Sequence, residues 1–423
     1  MTTVVILAGG YGTRSGNINI PKSLHLINKQ PILYHQLLQI QNSLPGSTVK
    51  IVTGFKSELI EEYINSILPE FYSLEISILR ENLPSGTTAA LKLAAAEVSE
   101  KYFILILGDI YFHLSLSNLL EEWRNNEYLA LFVSHPNNHP SDSDRIITQL
   151  DNSKIYEFIP KNQSTEALNL VTAGISILDR FFALDLPSQI PDFVSATFSR
   201  LEHLERVRSR TVTNYIADCG TPSRKSRVEL DLENGVVERR SKNQKSAVFL
   251  DLDGTLIANQ TVKNAHSKIH IDRETGALIR RLNSSGVPLI LITNQPGIAK
   301  GFFHEIDFLR FRISLDRELS HLGAFIDDIF LCPHHPESGW EGERRVLKIK
   351  CTCRKPEPGL FYQAAKVHEI SLKSSFFAGD DSRDEECAAK VGVTFKRIDS
   401  GSNFNRVNSL NEFLYEVNSL CTL

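Results

Sequence analysis

Asp251 and Asp253 stand two residues apart at the end of an apolar run, Val248-Phe249-Leu250. In an extended chain, side chains two apart leave the same face. One carboxylate can therefore attack phosphorus while the other handles the proton of the leaving group. Two carboxylates so close repel one another unless a cation sits with them, so this pair calls for magnesium. A second group has metal-ligand spacing: Cys332-Pro333-His334 and Cys351-Thr352-Cys353 each present two ligands one residue apart. Three sulfurs and one imidazole, Cys332, His334, Cys351 and Cys353, suit a closed tetrahedral zinc with a structural role. His335 points elsewhere in an extended chain, and Cys219, Cys387 and Cys421 read as ordinary thiols.

Near the start, Leu7-Ala8-Gly9-Gly10-Tyr11-Gly12-Thr13-Arg14 follows a buried-strand pattern. Gly9, Gly10 and Gly12 let the backbone turn tightly and bring N–H groups against phosphate oxygens. Arg14 adds a charged fork, and Lys22 a second cation. The loop has neither the Gly-Lys-Ser/Thr ending of a Walker loop nor the strict spacing of a dinucleotide fold.

Elements that would position these groups alternate along the chain. Apolar runs mark strands at 3–8, 50–53, 103–107, 129–133, 247–252, 289–293 and 375–378. Helical periodicity covers 31–42, 87–98, 273–284 and 306–322. This reads as α/β with mainly parallel sheets. In such sheets ligands gather at the carboxyl ends of strands, so each half has a site near its own beginning. Residues 223–246 are polar and rich in Arg and Lys. Their first part is helical, stopped at Asn234-Gly235, and 236–245 reads as a solvated linker. The expected division is 1–228, a linker over 229–245, and 246–423.

The 423 residues are 42% hydrophobic, enough for more than one core. The 46 Lys and Arg against 50 Asp and Glu give a net charge of −4, which disfavours a dedicated nucleic-acid binder. No apolar run approaches the ~20 residues of a membrane helix, and the first residues do not read as a secretory signal. The expectation is a cytoplasmic protein with no nucleic-acid or membrane partner, its oligomeric state left open.

The first half resembles the sugar-nucleotidyltransferase family, which joins a nucleoside triphosphate to a sugar 1-phosphate and releases pyrophosphate. After the glycine loop and Pro21-Lys22-Ser23, the segment 84–91 with Gly86 resembles the family's base-contacting stretch. Leu107-Gly108-Asp109 resembles its metal-binding Gly-Asp, Thr172-Ala173-Gly174-Ile175 its sugar-lining element, and Asp218-Cys219-Gly220-Thr221-Pro222 its second metal carboxylate. Lys161 matches a lysine that approaches the sugar phosphate. The resemblance implies a Rossmann-like, GT-A-like sheet, and magnesium held by Asp109 and Asp218. Leu7, Ala8, Gly9, Gly10, Gly12, Thr13 and Gly86 would hold nucleotide, with Arg14 and Lys22 catalytic. A nucleotide-sugar sensor without catalysis is the other class this half admits.

The second half resembles the haloacid-dehalogenase superfamily of aspartyl phosphatases, with a Rossmannoid sheet and a zinc loop. The resemblance makes Asp251 the nucleophile and Asp253 the acid/base. Thr293 and Asn294 would bind phosphate, Lys355 would bridge nucleophile and phosphate, and Asp380 with Asp384 would finish the magnesium site. Arg354 emerges beside the zinc and would meet substrate. The cysteine-rich loop and 294–301 resemble the D-glycero-D-manno-heptose 1,7-bisphosphate 7-phosphatases and the related histidinol phosphatases, though Asp381 stands where the former often carry Lys. Such a phosphatase would supply the heptose 1-phosphate that a nucleotidyltransferase consumes. The pairing implies a bifunctional enzyme using heptose phosphates and a nucleoside triphosphate, GTP foremost. A histidinol or other sugar phosphatase fused to a hexose 1-phosphate nucleotidyltransferase is the alternative.

Overall fold

The computed structural model describes residues 2–10, 20–82, 85–137, 143–149, 153–161, 168–258 and 269–421. Gly12, Thr13 and Arg14 lie outside them.

The first half is built on one large sheet. Its strands are β1 (Thr3–Leu7), β2 (Thr48–Thr53), β3 (Glu75–Arg80), β4 (Tyr102–Leu107), β6 (Ala130–Pro136), β7 (Arg145–Thr148), β8 (Ile155–Ile159), β9 (Leu170–Asp179) and β10 (Val207–Thr211). Two further strands, β5 (Ile110–His113) and β11 (Tyr215–Asp218), form a separate ribbon. The main path runs β8-β7-β9-β4-β1-β2-β3; β6 branches from β9, and β10 pairs with β6. β1 is parallel to both β2 and β4, so the chain reverses its order around β1. That is where an open α/β sheet binds ligands.

Alternation along β1 sends its residues to two cores. Val4 and Ile6 pack with Leu33, Leu37 and Ile40 of α1 (Ile32–Ser43). Val5 and Leu7 pack with Ala90, Leu91 and Ala94 of α2 (Thr87–Ala96). The expectation of mainly parallel strands fails here. β9 runs antiparallel to β4, β6 and β7, and among the described residues no helix lies between β7, β8 and β9.

The second half has five strands, all parallel, in the order β14 (Asp328–Cys332), β13 (Leu289–Asn294), β12 (Val248–Leu250), β15 (Phe376–Gly379), β16 (Thr394–Arg397). Val248 and Leu250 face the helices at 273–285, 305–321 and 403–421; Phe249 faces Leu360, Phe361 and Ala388 on the other side. Asp251, Asn294 and Asp380 follow or end three adjacent strands.

The polar stretch between the halves is only partly solvated: Glu238, Lys242, Asn243 and Gln244 are exposed, while other residues of it are buried. α3 (Pro222–Glu233) ends at Asn234, and Gly235 takes φ +68°, as the sequence suggests. The chain then forms α4 (Val236–Ser241), whose Val236 and Val237 are buried against Tyr111, Tyr215 and Cys219. Arg240 reaches Asp327 of the second half at 2.7 Å, and Lys245 is 2% exposed. Two valines and one ion pair suffice to seat a segment whose average composition is hydrophilic. Ile147, Ile159 and Leu168 close on Leu309 across the same junction. Among the described residues no helix is long and apolar enough to cross a membrane.

Candidate active sites

In the first half, the β5–β11 ribbon brings two distant carboxylates together. Asp218 pairs with Ile110, and the Cys219 N–H bonds to the Asp109 carbonyl at 2.8 Å. A Cβ at Gly220 would lie 2.7 Å from Asp218 Oδ1, 3.2 Å from Asp109 Oδ2 and 3.2 Å from Lys22 Nζ, so only glycine lets these groups converge. Lys22 Nζ holds Asp109 at 3.1 Å, and Arg224 Nη1 holds Asp218 at 2.5 Å. Burial raises the Asp218 carboxyl, and the neighbouring Asp109 adds to the shift. Two partly buried carboxylates, each beside a cation, offer oxygens of the kind a divalent ion takes.

The carboxylates face a cavity of about 900 Å³. Leu7, Ala8, Gly9, Gly10, Gly86, Gly174 and Lys161 are among its lining residues. Lys161 Nζ sits between Asp144 at 3.7 Å and Asp192 at 3.5 Å. The Lys161 N–H donates to Asp144 Oδ1 at 3.0 Å, and burial raises that carboxyl. Arg224, Asp144 and Asp192 were not singled out from the sequence. Arg224 lies six residues beyond Asp218, one helical turn into α3, and that spacing was its only signal.

In the second half, Lys355 is the hub. Its Nζ donates to Asp251 Oδ1 at 2.5 Å and to the Ile292 carbonyl at 2.9 Å, and pairs with Asp384 Oδ1 at 2.6 Å. Asn294 fixes the Lys355 backbone with two 3.0 Å bonds, one to its carbonyl and one from its N–H. Gln295 Nε2 donates to Asp253 at 2.7 Å and to the Thr293 hydroxyl at 3.0 Å. Gly254, at φ +84°, lies so close to Asp380 that any side chain would collide with the carboxylate. Asp251, Asp380 and Asp384 each present an oxygen within 4.8 Å of the others, a group that could hold a metal ion. Asp253 stands outside that group, bonded to Gln295.

Burial pushes the Asp251 carboxyl up to about 7 in spite of the Lys355 ammonium; the two facing carboxylates raise Lys355. Burial also pushes Asp253 up to about 6, opposed chiefly by the Gln295 bond. A carboxyl in that range can hold a proton near neutrality and give it up.

Cys332, His334, Cys351 and Cys353 also converge within 4.8 Å. His334 Nδ1 lies 3.2 Å from Cys353 Sγ, and Cys332 Sγ 3.1 Å from the same sulfur. The Cys332 thiol above all, then His334 and Cys351, pulls Cys353 down to about 5. A thiolate among two thiols and an imidazole is a set that fits a soft divalent ion. Arg354 leaves this cluster half-buried, its Nη1 3.5 Å from the His334 carbonyl. His335 instead packs edge-on against Trp340, with ring centroids 5.0 Å apart.

The family model described as nucleotidyl transferase matches residues 3–222, more than half the chain. The chain belongs to the nucleotidyl transferase family. The model described as polynucleotide kinase 3 phosphatase matches residues 246–405 of the same chain. Beyond the transferase half, a D-glycero-beta-D-manno-heptose-1,7-bisphosphate 7-phosphatase of Photorhabdus laumondii is 39% identical over 150 residues, covering 35% of this chain and 77% of the relative. The protein of the same name from Escherichia coli K12 is 35% identical over 151 residues, 36% of this chain and 76% of its own. The phosphatase half is thus a member of their family, and the nucleotidyl transferase carries both enzymes in one chain. Among solved structures, HddC from Yersinia pseudotuberculosis aligns with a TM-score of 0.48 at 20% identity, covering 55% of this chain and all of that one.

Proposed function

We propose that the chain makes a nucleotide-activated heptose in two steps. The phosphatase half removes the 7-phosphate of D-glycero-D-manno-heptose 1,7-bisphosphate. The transferase half then joins the resulting heptose 1-phosphate to a nucleotide, with GTP the preferred triphosphate. The observation that carries the reading is the presence of both sites in one chain: Asp251 bonded to Lys355, and Asp109 converging with Asp218 on a cavity large enough for two substrates. The names of the phosphatase relatives support the sugar.

In the first step an Asp251 oxygen attacks the 7-phosphorus. The bond to the C7 oxygen breaks, and the Asp253 carboxyl protonates that oxygen as it leaves. Asp253, now a carboxylate, takes a proton from water. The water oxygen attacks the aspartyl phosphate, freeing Asp251 and inorganic phosphate. Lys355 stabilises the charge on the phosphoryl oxygens throughout, and Asn294 keeps Lys355 in place. Magnesium, held by Asp251, Asp380 and Asp384, would neutralise further charge there. Zinc on Cys332, His334, Cys351 and Cys353 would pin the loop that carries Arg354 and Lys355.

In the second step a phosphate oxygen of heptose 1-phosphate attacks the α-phosphorus of the triphosphate, and pyrophosphate leaves. Lys22, Arg224 and the N–H groups of Gly9 and Gly10 would meet the phosphates, and magnesium held by Asp109 and Asp218 would neutralise further charge. The setting we assign is the cytoplasm. The experiment is to supply heptose 1,7-bisphosphate with each of four nucleoside triphosphates and follow products by mass. Release of phosphate without any nucleotide-heptose defeats the two-step reading.

A further inference from the structure

Asp253 is held from two sides. Gln295 meets its carboxylate at 2.7 Å. Its backbone belongs to a tight turn that follows β12. There the Gly254 N–H bonds to the Ile257 carbonyl at 2.8 Å, the Ile257 N–H bonds to the Leu252 carbonyl at 3.0 Å, and Asp253 bridges to Ile257. None of these bonds uses the carbonyls of Thr255 and Leu256, yet both residues are enclosed. A buried carbonyl needs a donor from somewhere.

Arg406 supplies it. Its Nη1 donates to the Thr255 carbonyl and to the Leu256 carbonyl, each at 2.8 Å, and its Nη2 donates to Asn403 Oδ1 at 2.7 Å. The guanidinium comes from the first turn of the helix Asn403–Cys421, 150 residues from Leu256 along the chain. Leu410, Phe413 and Leu414 of that helix share one core with Leu252, Leu256 and Ile257, so packing and hydrogen bonds hold helix and turn together. Arg406 is buried, and among the described residues no carboxylate is bonded to it. Burial disfavours its charge, opposed by the more distant Asp272. A cation enclosed against carbonyl dipoles carries a desolvation cost, and what it fixes here is the turn that carries Asp253.

We propose that Arg406 is a positioning residue of the phosphatase step: by holding the Thr255 and Leu256 carbonyls it sets the backbone of Asp253, and with it the place of the carboxyl that meets the leaving oxygen. This rests on the reading of Asp253 as the acid and base of that step. Both Nη atoms of Arg406 are taken up by the turn and by Asn403, and its Nε is enclosed, so the residue acts through Asp253 rather than on substrate. The last helix of the chain thereby belongs to the machinery of a site whose other groups lie between Asp251 and Asp384.

The test uses the full chain, the variants Arg406→Met and Arg406→Lys, and Arg406→Met combined with Asp253→Asn. Phosphate release from heptose 1,7-bisphosphate is measured for each, with circular dichroism as the control for folding. Arg406→Met should lower kcat by about 10²-fold, the scale of a misplaced reacting group. KM should stay within about twofold, because Asp253 acts on the leaving oxygen and not in ground-state binding. Arg406→Lys keeps a donor near the carbonyls and should restore part of the loss. In the Asp253→Asn background the Arg406→Met change should cost no more than about twofold, since two residues acting through one group are not additive. Unchanged kcat, a KM that rises as far as kcat falls, or a full further loss on top of Asp253→Asn overturns the role of Arg406. Phosphate release by the unaltered chain tests the phosphatase reading separately.

Discussion

The Asp327 carboxylate is wholly enclosed and receives the Arg240 guanidinium at 2.7 Å across the junction of the two halves. Its other oxygen accepts the Leu289 N–H at 2.9 Å, at the first residue of β13. The pair thus ties α4 to the beginning of a central strand of the phosphatase sheet. Asp251 stands at the far end of that sheet, so the phosphatase site and the transferase cavity meet opposite edges of one set of strands.

Removing Arg240 leaves an enclosed carboxylate without its cation. Arg240→Met should cost about 3–5 kcal/mol, and the two halves should lose their common unfolding transition. Calorimetry of the purified variant reads both effects; a single transition at the original temperature would show that the pair does not couple the halves.

The two chemistries should separate by mutation. Asp251→Asn should reduce phosphate release by 10³-fold or more while nucleotide transfer to supplied heptose 1-phosphate continues, because a neutral amide cannot attack phosphorus. Asp109→Asn should do the reverse. Loss of both activities in either variant, with the fold intact by circular dichroism, would contradict the assignment of one site to each half.

Lys355 is enclosed with Asp251 and Asp384, so Lys355→Met leaves two buried carboxylates facing each other. A loss of several kcal/mol in stability is expected at pH 7. The loss should be greater at pH 9 than at pH 7, because the Asp251 carboxyl, at about 7 beside Lys355 and raised further without it, must give up its proton in that window. Urea unfolding at both pH values checks this; a cost independent of pH would mean that the carboxylates do not set it.

Lys245 provides a pH test away from both sites. Its Nζ is buried with no hydrogen-bond partner among the described residues, and burial lowers it to about 8. Between pH 8 and the ordinary lysine value of about 10.4, the unfolded chain binds more protons than the folded one. Stability from this group therefore rises with pH through that window, and the full cost of the buried charge applies below it. Lys245→Met should stabilise by about 1–3 kcal/mol at pH 7 and by much less at pH 10. Equal gains at both would refute the buried charge as the cause.

Metal removal should act on the phosphatase half first. Chelation, or Cys351→Ser, should lower the unfolding temperature and raise the KM for the bisphosphate, since Arg354 and Lys355 follow Cys353 directly. Metal content by elemental analysis should fall with them; full stability without bound metal would remove the zinc from the account.

Much of this was legible in the sequence because the strands are uninterrupted apolar runs. Val4 to Leu7, Phe103 to Leu107 and Leu289 to Thr293 are buried on both sides, and a residue following or ending such a run, whether glycine, aspartate or asparagine, stands out. Asp109, Asp251 and Asp380 were visible for that reason, as was the cysteine spacing. The antiparallel placement of β9 was not, since strand direction depends on connections rather than on composition. Nor was α4, whose two buried valines are outnumbered by charges. The partner of Arg240 is 87 residues away, and no local pattern announces it. Arg224 looks like a surface arginine until the fold turns it toward Asp218.

The central claim is that one chain performs two consecutive reactions on one sugar. The direct measurement is a mass-resolved time course of heptose 1,7-bisphosphate with GTP and magnesium. The account predicts that heptose 1-phosphate rises and then falls as GDP-heptose and pyrophosphate accumulate, and that Asp109→Asn halts the course at heptose 1-phosphate. Accumulation of heptose 1-phosphate by the unaltered chain, with no nucleotide-heptose from any of the four triphosphates, would contradict it.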